Sequence, residues 1–263
     1  KLELLDHVFN AAYVPAAAVY LALCTADPTD AGTGAAMNEV PDANGYARTA
    51  ITFGAAASRR VTQSAQVTFP QASGDWGTVT HWGIVDSATH GEGHLLAHGA
   101  FGVSKSIVNG NTPSVAVGEV YVEITGEIST YLANKLLDLM FRNQAYSKPD
   151  TYVALVTAAV DEDDTGATIT EPAGAAAYAR EQVNVNGGAA PTWNLAAAGL
   201  VDNTHDIEFT TATASWGTIT GVCIVDAAAD GNLLFYDNDM ADQAVAEDDT
   251  VTFPAGDLDI TLS

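Results

Sequence analysis

The sequence predicts a mainly β protein of two tandem, similar domains, each an antiparallel β-sandwich or barrel with a short N-terminal helix. The first observation is a repeated segment: residues 76–86, Trp-Gly-Thr-Val-Thr-His-Trp-Gly-Ile-Val-Asp, return as residues 216–226, Trp-Gly-Thr-Ile-Thr-Gly-Val-Cys-Ile-Val-Asp. The second is the period of the repeat, near 130 residues, which is the size of a whole domain. The third is a series of short β-rich segments separated by Gly, Asn and Asp turns, which is typical of sandwiches and barrels.

The two copies align at two different offsets. Early residues match 132 positions apart, as Tyr-Ala-Arg at 46–48 and 178–180 do, whereas Trp76 and Trp216 lie 140 apart. The second copy therefore carries about eight extra residues between these landmarks. We predict one domain over residues 1–130 and a second over 131–263. Residues 131–134 have no full counterpart ahead of Leu4, so we expect a few residues to precede Lys1.

Each copy begins with a short amphipathic helix, in which apolar residues at helical spacing form one stripe. These residues are Leu2, Leu5 and Phe9 in the first copy and Leu132, Leu136, Leu139 and Met140 in the second. A strand follows each helix, and an acidic loop comes next, at residues 27–32 or 161–166. Closely spaced carboxylates could hold Ca²⁺, but the terminal Glu of an EF-hand loop is missing, so a solvated turn is favoured.

The repeated segment is predicted to be a buried strand because β-branched residues run through it. Gly77 and Gly217 follow its Trp, where a kink or a close backbone approach is common. Asp86 and Asp226 end the strand. Their carboxylates could serve catalysis, but turn carboxylates that bind backbone amides are the favoured interpretation.

Histidines are concentrated in the first copy, as His81, His90, His94 and His98. The last three are spaced by four residues, so on a helix they would share a face and could bind a metal. Intervening glycines oppose a helix, and the second copy lacks these histidines. We therefore predict no metal site, while a metal at His90, His94 and His98, or at the acidic loops, stays an open alternative.

No catalytic motif is present: the sequence lacks a nucleophile elbow, a phosphate loop, a zinc-protease helix and a paired-cysteine metal site. We predict that the protein is not an enzyme and has no catalytic or cofactor-binding residues. Arg48 and Arg180 stand out because arginine is scarce and each copy keeps one before a strand. Either could bind a ligand carboxylate, but a structural ion pair to an acidic loop is favoured.

The charge balance excludes a basic nucleic-acid-binding surface. Nine Lys and Arg against 33 Asp and Glu give a net charge of −24, so we expect no nucleic-acid partner. This surface suggests either a halophilic source or a protein displayed in many copies. No apolar run approaches the roughly 20 residues of a membrane span, so we expect no membrane association. Cys24 and Cys223 occupy non-equivalent apolar strands and are predicted to be buried free thiols.

Several motifs together resemble a known family. They are Tyr-Leu-Ala-Asn-Lys-Leu-Leu-Asp at 131–138, Tyr-Val-Ala-Leu at 152–155, Gly-Tyr-Ala-Arg at 45–48, Ala-Ser-Trp-Gly-Thr-Ile-Thr at 214–220, Ile-Val-Asp at 224–226 and Gly-Asn-Leu-Leu-Phe-Tyr at 231–236. In order and spacing they resemble a virion protein family of tailed phages or archaeal tailed viruses, commonly labelled phage tail fibre protein. The resemblance covers nearly all of both copies. The family unit resembles one copy, so this chain departs from it by duplication, and also by carrying His-Leu-Leu-Ala-His at 94–98.

The resemblance implies a non-enzymatic structural protein of the virion. A capsid decoration or cement protein on the head surface is the favoured placement, because the domains are compact and lack long fibrous repeats. A tail fibre or adhesin component is the alternative, with Trp82, Trp193 or Tyr236 as aromatic contacts for host glycans. Implied partners are the major capsid protein or other virion proteins, with self-association in the particle. From another class, a carbohydrate-binding module or glycan-acting enzyme stays open.

Overall fold

The chain folds as two compact units, and each unit draws residues from both sequence copies. The computed structural model describes residues 1–262 apart from the side chain of Ala175. The first-copy unit comprises residues 15–123 and 137–145, and the second-copy unit comprises residues 1–14, 124–136 and 146 onward. Each unit is named for the copy that supplies its strands. The expected boundary at residue 130 divides the sequence repeat, and as a division into folding domains it stays a prediction.

Within residues 1–262, two helices each precede a series of short strands. The first copy contains α1 (Leu2–Phe9), β1 (Val19–Cys24), β2 (Thr49–Ile51), β3 (Arg60–Thr62), β4 (Val67–Thr68), β5 (Gly77–Val85), β6 (Leu95–Ile107), β7 (Ser114–Val115) and β8 (Tyr121–Glu123). The second contains α2 (Thr130–Arg142), β9 (Thr151–Val156), a 3₁₀ turn (Gly174–Ala176), β10 (Glu181–Val183), β11 (Leu200–Val201), β12 (Ile207–Glu208), β13 (Gly217–Ile219), β14 (Gly221–Val225), β15 (Leu233–Asp237), β16 (Gln243–Val245), β17 (Thr252–Phe253) and β18 (Ile260–Thr261). The prediction of a mainly β fold with N-terminal helices is confirmed.

The main sheet of the first-copy unit is antiparallel and has the strand order β2-β1-β5-β6. Its central pair places Leu21 opposite Ile84 and Leu23 opposite Trp82. Two short ladders, β3 with β8 and β4 with β7, complete the described pairing. The repeated segment therefore forms an interior strand of the sheet, in agreement with the prediction of a buried strand.

The second-copy unit repeats this arrangement with the order β10-β9-β14-β15, and its ladders are β11 with β18, β12 with β17 and β13 with β16. Its counterpart of β5 is interrupted at Thr220, which separates β13 from β14. In the first copy the ladder between β5 and β6 shifts register between Val79 and His81, at the equivalent place. An extra residue in a strand disrupts pairing locally, so the same irregularity divides one strand and only bends the other.

Backbone conformation explains the glycine after each repeated Trp. Gly77 has φ +88° and Gly217 has φ +83°, and a Cβ at either position would meet nothing within 4 Å. The conformation, which glycine adopts at low cost, therefore accounts for these glycines, and close packing does not. Of the two explanations that the sequence offered, a special backbone conformation therefore applies and a close backbone approach does not.

Capping fixes the ends of α2. The hydroxyl of Ser129 accepts a hydrogen bond from the Leu132 amide at 3.1 Å, an N-terminal cap that satisfies an unpaired helical donor. The helix stops at Asn143, whose φ of +51° is the left-handed conformation typical of helix C-termini. In α1 the expected stripe is wrong at one position, because Leu2 is 41% exposed while Leu4, Leu5, Val8 and Phe9 are buried.

The two units have equivalent cores built from slightly different residues. In the first-copy unit Ala22, Cys24, Met37 and Val85 pack together, and in the second-copy unit Ala154, Val156, Ile169, Cys223 and Val225 do so. Both cysteines are buried free thiols, as predicted. Burial raises the pKa of each thiol to about 12, so neither is a ready nucleophile.

The extra residues of the second copy can now be placed. Ile51 and Val183 still match 132 positions apart, while Thr52 and Thr192 match 140 apart. Both threonines make the same contact, to Ser64 at 3.0 Å and to Thr204 at 2.6 Å. The insertion is therefore residues 184–191.

Candidate functional site

Arg48 lies at the centre of a buried polar network in the first-copy unit. Its Nη2 lies 2.8 Å from Oε2 of Glu39, with the Arg48 side chain fully buried. The Tyr46 hydroxyl donates to Oε1 of the same carboxylate at 2.7 Å. Burial, followed by the charge of Glu39, raises the pKa of Tyr46 far above its usual value, so this tyrosine stays protonated.

The remaining donors of Arg48 hold loops in place. Nη1 donates to the carbonyls of Ser87 at 3.0 Å and Glu92 at 2.8 Å, and Nη2 donates to the Gly34 carbonyl at 2.7 Å. With Nε on Glu39, all five N–H donors of the guanidinium are used. Arg48 therefore has no free donor for a ligand carboxylate, and the structure supports the favoured role as a structural ion pair.

Arg180 makes the same network in the second-copy unit. It pairs with Glu171 at 2.7 Å, and the Tyr178 hydroxyl donates to that carboxylate at 2.7 Å. Its Nη1 donates to the carbonyls of Ala227 and Asp230, each at 2.8 Å. Each arginine therefore connects equivalent loops in its unit, because both copies of the sequence contain the arginine, its partner carboxylate and its tyrosine.

The carboxylates that end the repeated strand brace hairpin turns. Asp86 accepts the His94 amide at 2.6 Å and lies 2.8 Å from His94 Nδ1, and Asp226 accepts the Asn232 amide at 2.6 Å and its side-chain amide at 2.7 Å. Burial acts to raise the pKa of Asp86, but the hydrogen bonds from His94 outweigh it and leave this pKa below its usual value. Both residues are turn carboxylates, as the favoured interpretation held.

The histidines of the first copy do not converge on one point. His90 Nε2 lies 3.0 Å from the Val40 carbonyl oxygen and 3.6 Å from Glu39, while His98 lies 3.2 Å from both Asp27 and Asp30. His90 is in a turn and His98 is in β6, so the helix that would have aligned them is absent, as expected. Within the described chain, no group of three possible metal ligands includes a histidine.

The acidic loops are turns held by their own side chains. In the second copy Asp164 accepts the Asp161 amide at 2.7 Å and the Thr168 hydroxyl at 2.9 Å. In the first copy Asp27 accepts the Thr29 amide at 3.0 Å. Local side-chain bonds of this kind are typical of solvated turns, the interpretation favoured from the sequence.

Three carboxylates that sequence reasoning missed come together in the second-copy unit. Ligand oxygens of Glu127, Asp237 and Asp239 lie within 4.8 Å of one another, beside a pocket of about 350 Å³ that Asp257 and Asp259 also line. Burial, and then the charges of Asp237 and Asp239, raise the pKa of Glu127. No spacing in the sequence indicates this group, because it depends on pairing between residues 127–129 and β15.

The aromatic residues considered for glycan contact differ in availability. Trp193 is completely buried, and its Nε1 donates to Thr151 at 2.8 Å. Tyr236 is half-buried at the acidic pocket. Trp82 borders a groove of about 310 Å³ together with Tyr121, which is 47% exposed. Trp82 itself is only 7% exposed, so aromatic contact with a ligand is open to Tyr121 and Tyr236 and closed to Trp82 and Trp193.

Comparison with known proteins gives one family. A family model described as "Podophage GP4 fiber I protein gp80" matches residues 1–123 and again residues 127–261. No curated protein sequence matches the chain. None of the helices in the described part of the chain has the length and apolar character needed to cross a membrane.

Proposed function

The chain belongs to the family of the podophage GP4 fiber I protein gp80, and from this membership we propose that it is a non-enzymatic component of a fibre on the particle of a tailed virus. The observation that carries the proposal is that the family model matches both copies in turn, so almost the whole chain is family sequence. Its partners are then other proteins of the particle, including further copies of itself.

The polar residues of each unit support a structural role. Arg48 and Arg180 could have served as ligand-binding groups, but they donate their hydrogen bonds to carbonyls of internal loops. The cysteine thiols are buried, and Asp86 and Asp226 brace turns. Residues of these types are the usual catalytic and binding groups, and here they stabilise the fold.

A position on the head surface, as a decoration or cement protein, is the second candidate. It is favoured by the compactness of the two units and by the net charge of −24, which would limit adhesion between crowded copies. The family description favours the fibre over this placement, so we rank the fibre first and reverse the order that the sequence reading preferred.

Contact with a host glycan is a narrower form of the fibre proposal. The groove beside Trp82 and Tyr121 also contains Glu119 and Glu123, and the Arg60 guanidinium lies 4.2 Å from the centre of the Tyr121 ring and pairs with Glu123. A sugar ring would therefore meet the Tyr121 ring beside charged groups that can form hydrogen bonds with its hydroxyls. Binding of the purified protein to host-surface glycans, lost in Tyr121→Ala and kept in Tyr20→Ala, would support an adhesive role. Equal binding by both variants would contradict it.

Immunogold labelling of purified particles tests the placement. An antibody raised against residues 131–263 is expected to label the tail region in electron micrographs, at fibre positions. Label distributed over the head would overturn the fibre placement and establish the decoration role. Particles without label, combined with absence of the protein from their mass spectrum, would overturn both.

A further inference from the structure

Equivalent pockets border the outermost strand of each main sheet. In the first-copy unit a groove of about 310 Å³ is lined by residues 97–100 of β6 and by residues of the segment 119–123. In the second-copy unit a pocket of about 350 Å³ is lined by residues 235–237 of β15 and by 257–261, at positions 138 residues later. Gly126 and Glu127 also line this second pocket. The segment that leads into α2 therefore contributes to a site that both units share.

That segment forms an extra antiparallel strand along the outer edge of β15. The Tyr236 amide donates to the Glu127 carbonyl at 3.1 Å, and the Ser129 amide donates to the Leu234 carbonyl at 3.0 Å. Ile128, between the two bonds, is only 1% exposed. The outward-facing backbone groups of this edge therefore have partners from the same chain.

The outer edge of β6 has the same register without such a strand. Gly83 lies opposite His98 as Cys223 lies opposite Tyr236, so the His98 amide and the Leu96 carbonyl face away from β5. Within residues 1–262, β6 pairs with β5 alone, and no backbone hydrogen bond reaches either outward group. An edge with unpaired backbone groups is a template for another strand.

Burial of equivalent leucines differs between the two edges. Leu233 and Leu234 are completely buried in the second-copy unit, whereas their counterparts Leu95 and Leu96 are only half-buried. The same residues at the same positions are thus less covered where no strand lies along the edge. The first-copy edge therefore offers both unpaired backbone groups and apolar surface.

The repeat also indicates where the covering strand comes from. Ser129 belongs to that strand and caps α2, so the strand and the start of the helix form one continuous element. α1 begins at Leu2, the counterpart of Asn134, so the 132-residue offset places the counterparts of residues 126–129 ahead of Lys1.

The division into units agrees with this assignment. Residues 124–136 lie in the second-copy unit and residues 137–145 in the first-copy unit, whereas residues 5–13, the counterparts of 137–145, lie in the second-copy unit. The same exchange assigns the stretch ahead of α1 to the first-copy unit, which contains β6.

We propose that the edge of β6 between Leu96 and His98 is a strand-docking site, and that its occupant is the polypeptide that leads into α1, as the counterpart of residues 126–129. The occupant is an extended segment that pairs through its main chain and carries an aliphatic residue at the position of Ile128. The proposal does not depend on where the protein sits in the virion.

The residues around β6 define the occupant further. Gly99 and Tyr121 stand where the second-copy unit has Asp237 and Asp259, so the residue at the position of Glu127 meets an aromatic ring in place of two carboxylates. The second-copy pocket persists beside its strand. A docked strand would therefore line the groove at Tyr121 and leave it open.

Completing the repeat tests the proposal. A variant with residues 124–132 copied ahead of Lys1 continues the 132-residue offset. Hydrogen exchange of the His98 amide, followed by NMR, should slow at least tenfold relative to the unextended chain. The matched control carries Ile128→Asp in the added copy only, and should exchange within about threefold of the unextended rate. Equal exchange at His98 in the two extended proteins would overturn the proposal.

Substitution of His98 tests the edge itself. His98→Pro removes the outward amide, which an edge strand tolerates, and His98→Ala removes the same side chain but keeps that amide. The extension should raise the melting temperature of the alanine variant and leave that of the proline variant unchanged. An equal rise in both variants would overturn pairing at this edge.

Sedimentation identifies the molecule that supplies the strand. The extended chain should show protected His98 while remaining no more associated than the unextended chain, because the strand belongs to the same molecule. Protection of His98 that appears only with concentration-dependent dimers would assign the edge to a second copy and overturn the proposed occupant.

Discussion

At the scale of single residues, an arginine that could have bound a ligand instead holds buried loops together through an ion pair and hydrogen bonds. Arg48 is buried with Glu39 and donates to three loop carbonyls. A buried charge is costly unless it is paired and fully hydrogen-bonded. Arg48 meets this condition only because its planar fork reaches the carboxylate and the loops at once.

Replacing Arg48 with lysine should therefore destabilise the protein strongly. An ammonium group cannot reproduce the fork, so we expect Arg48→Lys to lower the free energy of unfolding by about 2–4 kcal/mol. Urea unfolding followed by circular dichroism measures the loss. The control is Arg60→Lys, since Arg60 pairs with Glu123 on the surface and such pairs contribute about 0–1 kcal/mol. Losses of unfolding free energy of similar size in both variants would contradict this structural role of Arg48.

His7, in α1, should make the stability of the protein depend on pH. Its ring is buried, its Nδ1 accepts the Tyr13 amide at 2.9 Å, and its Nε2 has no hydrogen-bond partner. Burial lowers the pKa of His7, and the charge of Lys148 lowers it further, although the Tyr146 backbone opposes both. The unfolded chain therefore takes up a proton below about pH 6.5 that the folded chain resists.

Stability should consequently fall as pH drops below about 6.5, and His7→Leu should remove this component. Leucine is the residue at the equivalent position, Leu139. At pH 8 the variant lacks the bond to Tyr13 and should be slightly less stable than wild type. At pH 5 this difference in stability should become smaller or change sign. Thermal unfolding of both proteins at the two pH values is the measurement. A stability difference that does not change with pH would contradict the argument.

At the scale of elements, the two cores fill the same space in two ways. A Cβ at Gly83 would lie 3.2 Å from Sδ of Met37, whereas the second copy has Cys223 and Ile169 at these positions. The glycine makes room for a long, flexible side chain, and the cysteine is compatible with a shorter, branched one. The residue in the strand and the residue in the loop therefore compensate each other in size, as close-packed cores require.

A double-mutant cycle should reveal this compensation. Gly83→Cys alone overpacks the first-copy core and should cost about 1–3 kcal/mol. With Met37→Ile added, part of the loss should return, giving a coupling energy of about 1 kcal/mol. Denaturant unfolding of the four proteins in the cycle provides the values. Additive effects would show that the two positions do not share the space.

The elements that could be predicted from the sequence were those with a local signal. The repeated Trp segment predicted a buried strand because its β-branched residues are a local signal, and the glycine after each Trp indicated an unusual backbone position, which is a positive φ at Gly77 and Gly217. The packing of each helix against the other copy had no such signal. Asp6 accepts the amide of Ala196, and the equivalent residue of its own copy, Ala56, would offer the same backbone amide. The group of Glu127, Asp237 and Asp239 was hidden for a similar reason, because it depends on long-range pairing.

At the scale of the whole molecule, negative charge dominates. A net charge of −24 opposes the compact state through self-repulsion. Raising the salt concentration from 0.1 to 1 M shortens the Debye length from about 10 to about 3 Å. The melting temperature should therefore rise steadily with NaCl over this range, as scanning calorimetry can measure. A melting temperature that is independent of salt would contradict charge repulsion as a major cost.

A charge-reduced variant separates screening from other effects of salt. Asp42→Asn and Glu247→Gln change exposed carboxylates, and together with Asp259→Asn they remove three negative charges. This variant should melt higher than wild type at low salt and show a shallower salt dependence. Parallel salt curves for the two proteins would point to preferential exclusion of salt from the surface instead.

The placement of α1 in the second-copy unit and of residues 137–145 in the first-copy unit also limits which halves of related genes can be recombined. A hybrid gene that joins the first half of one relative to the second half of another would produce two hybrid units, because residues 1–14 of the first half lie in the second-copy unit and residues 137–145 of the second half lie in the first-copy unit. Compatibility between each helix and the foreign residues that it packs against would then decide whether the hybrid protein folds.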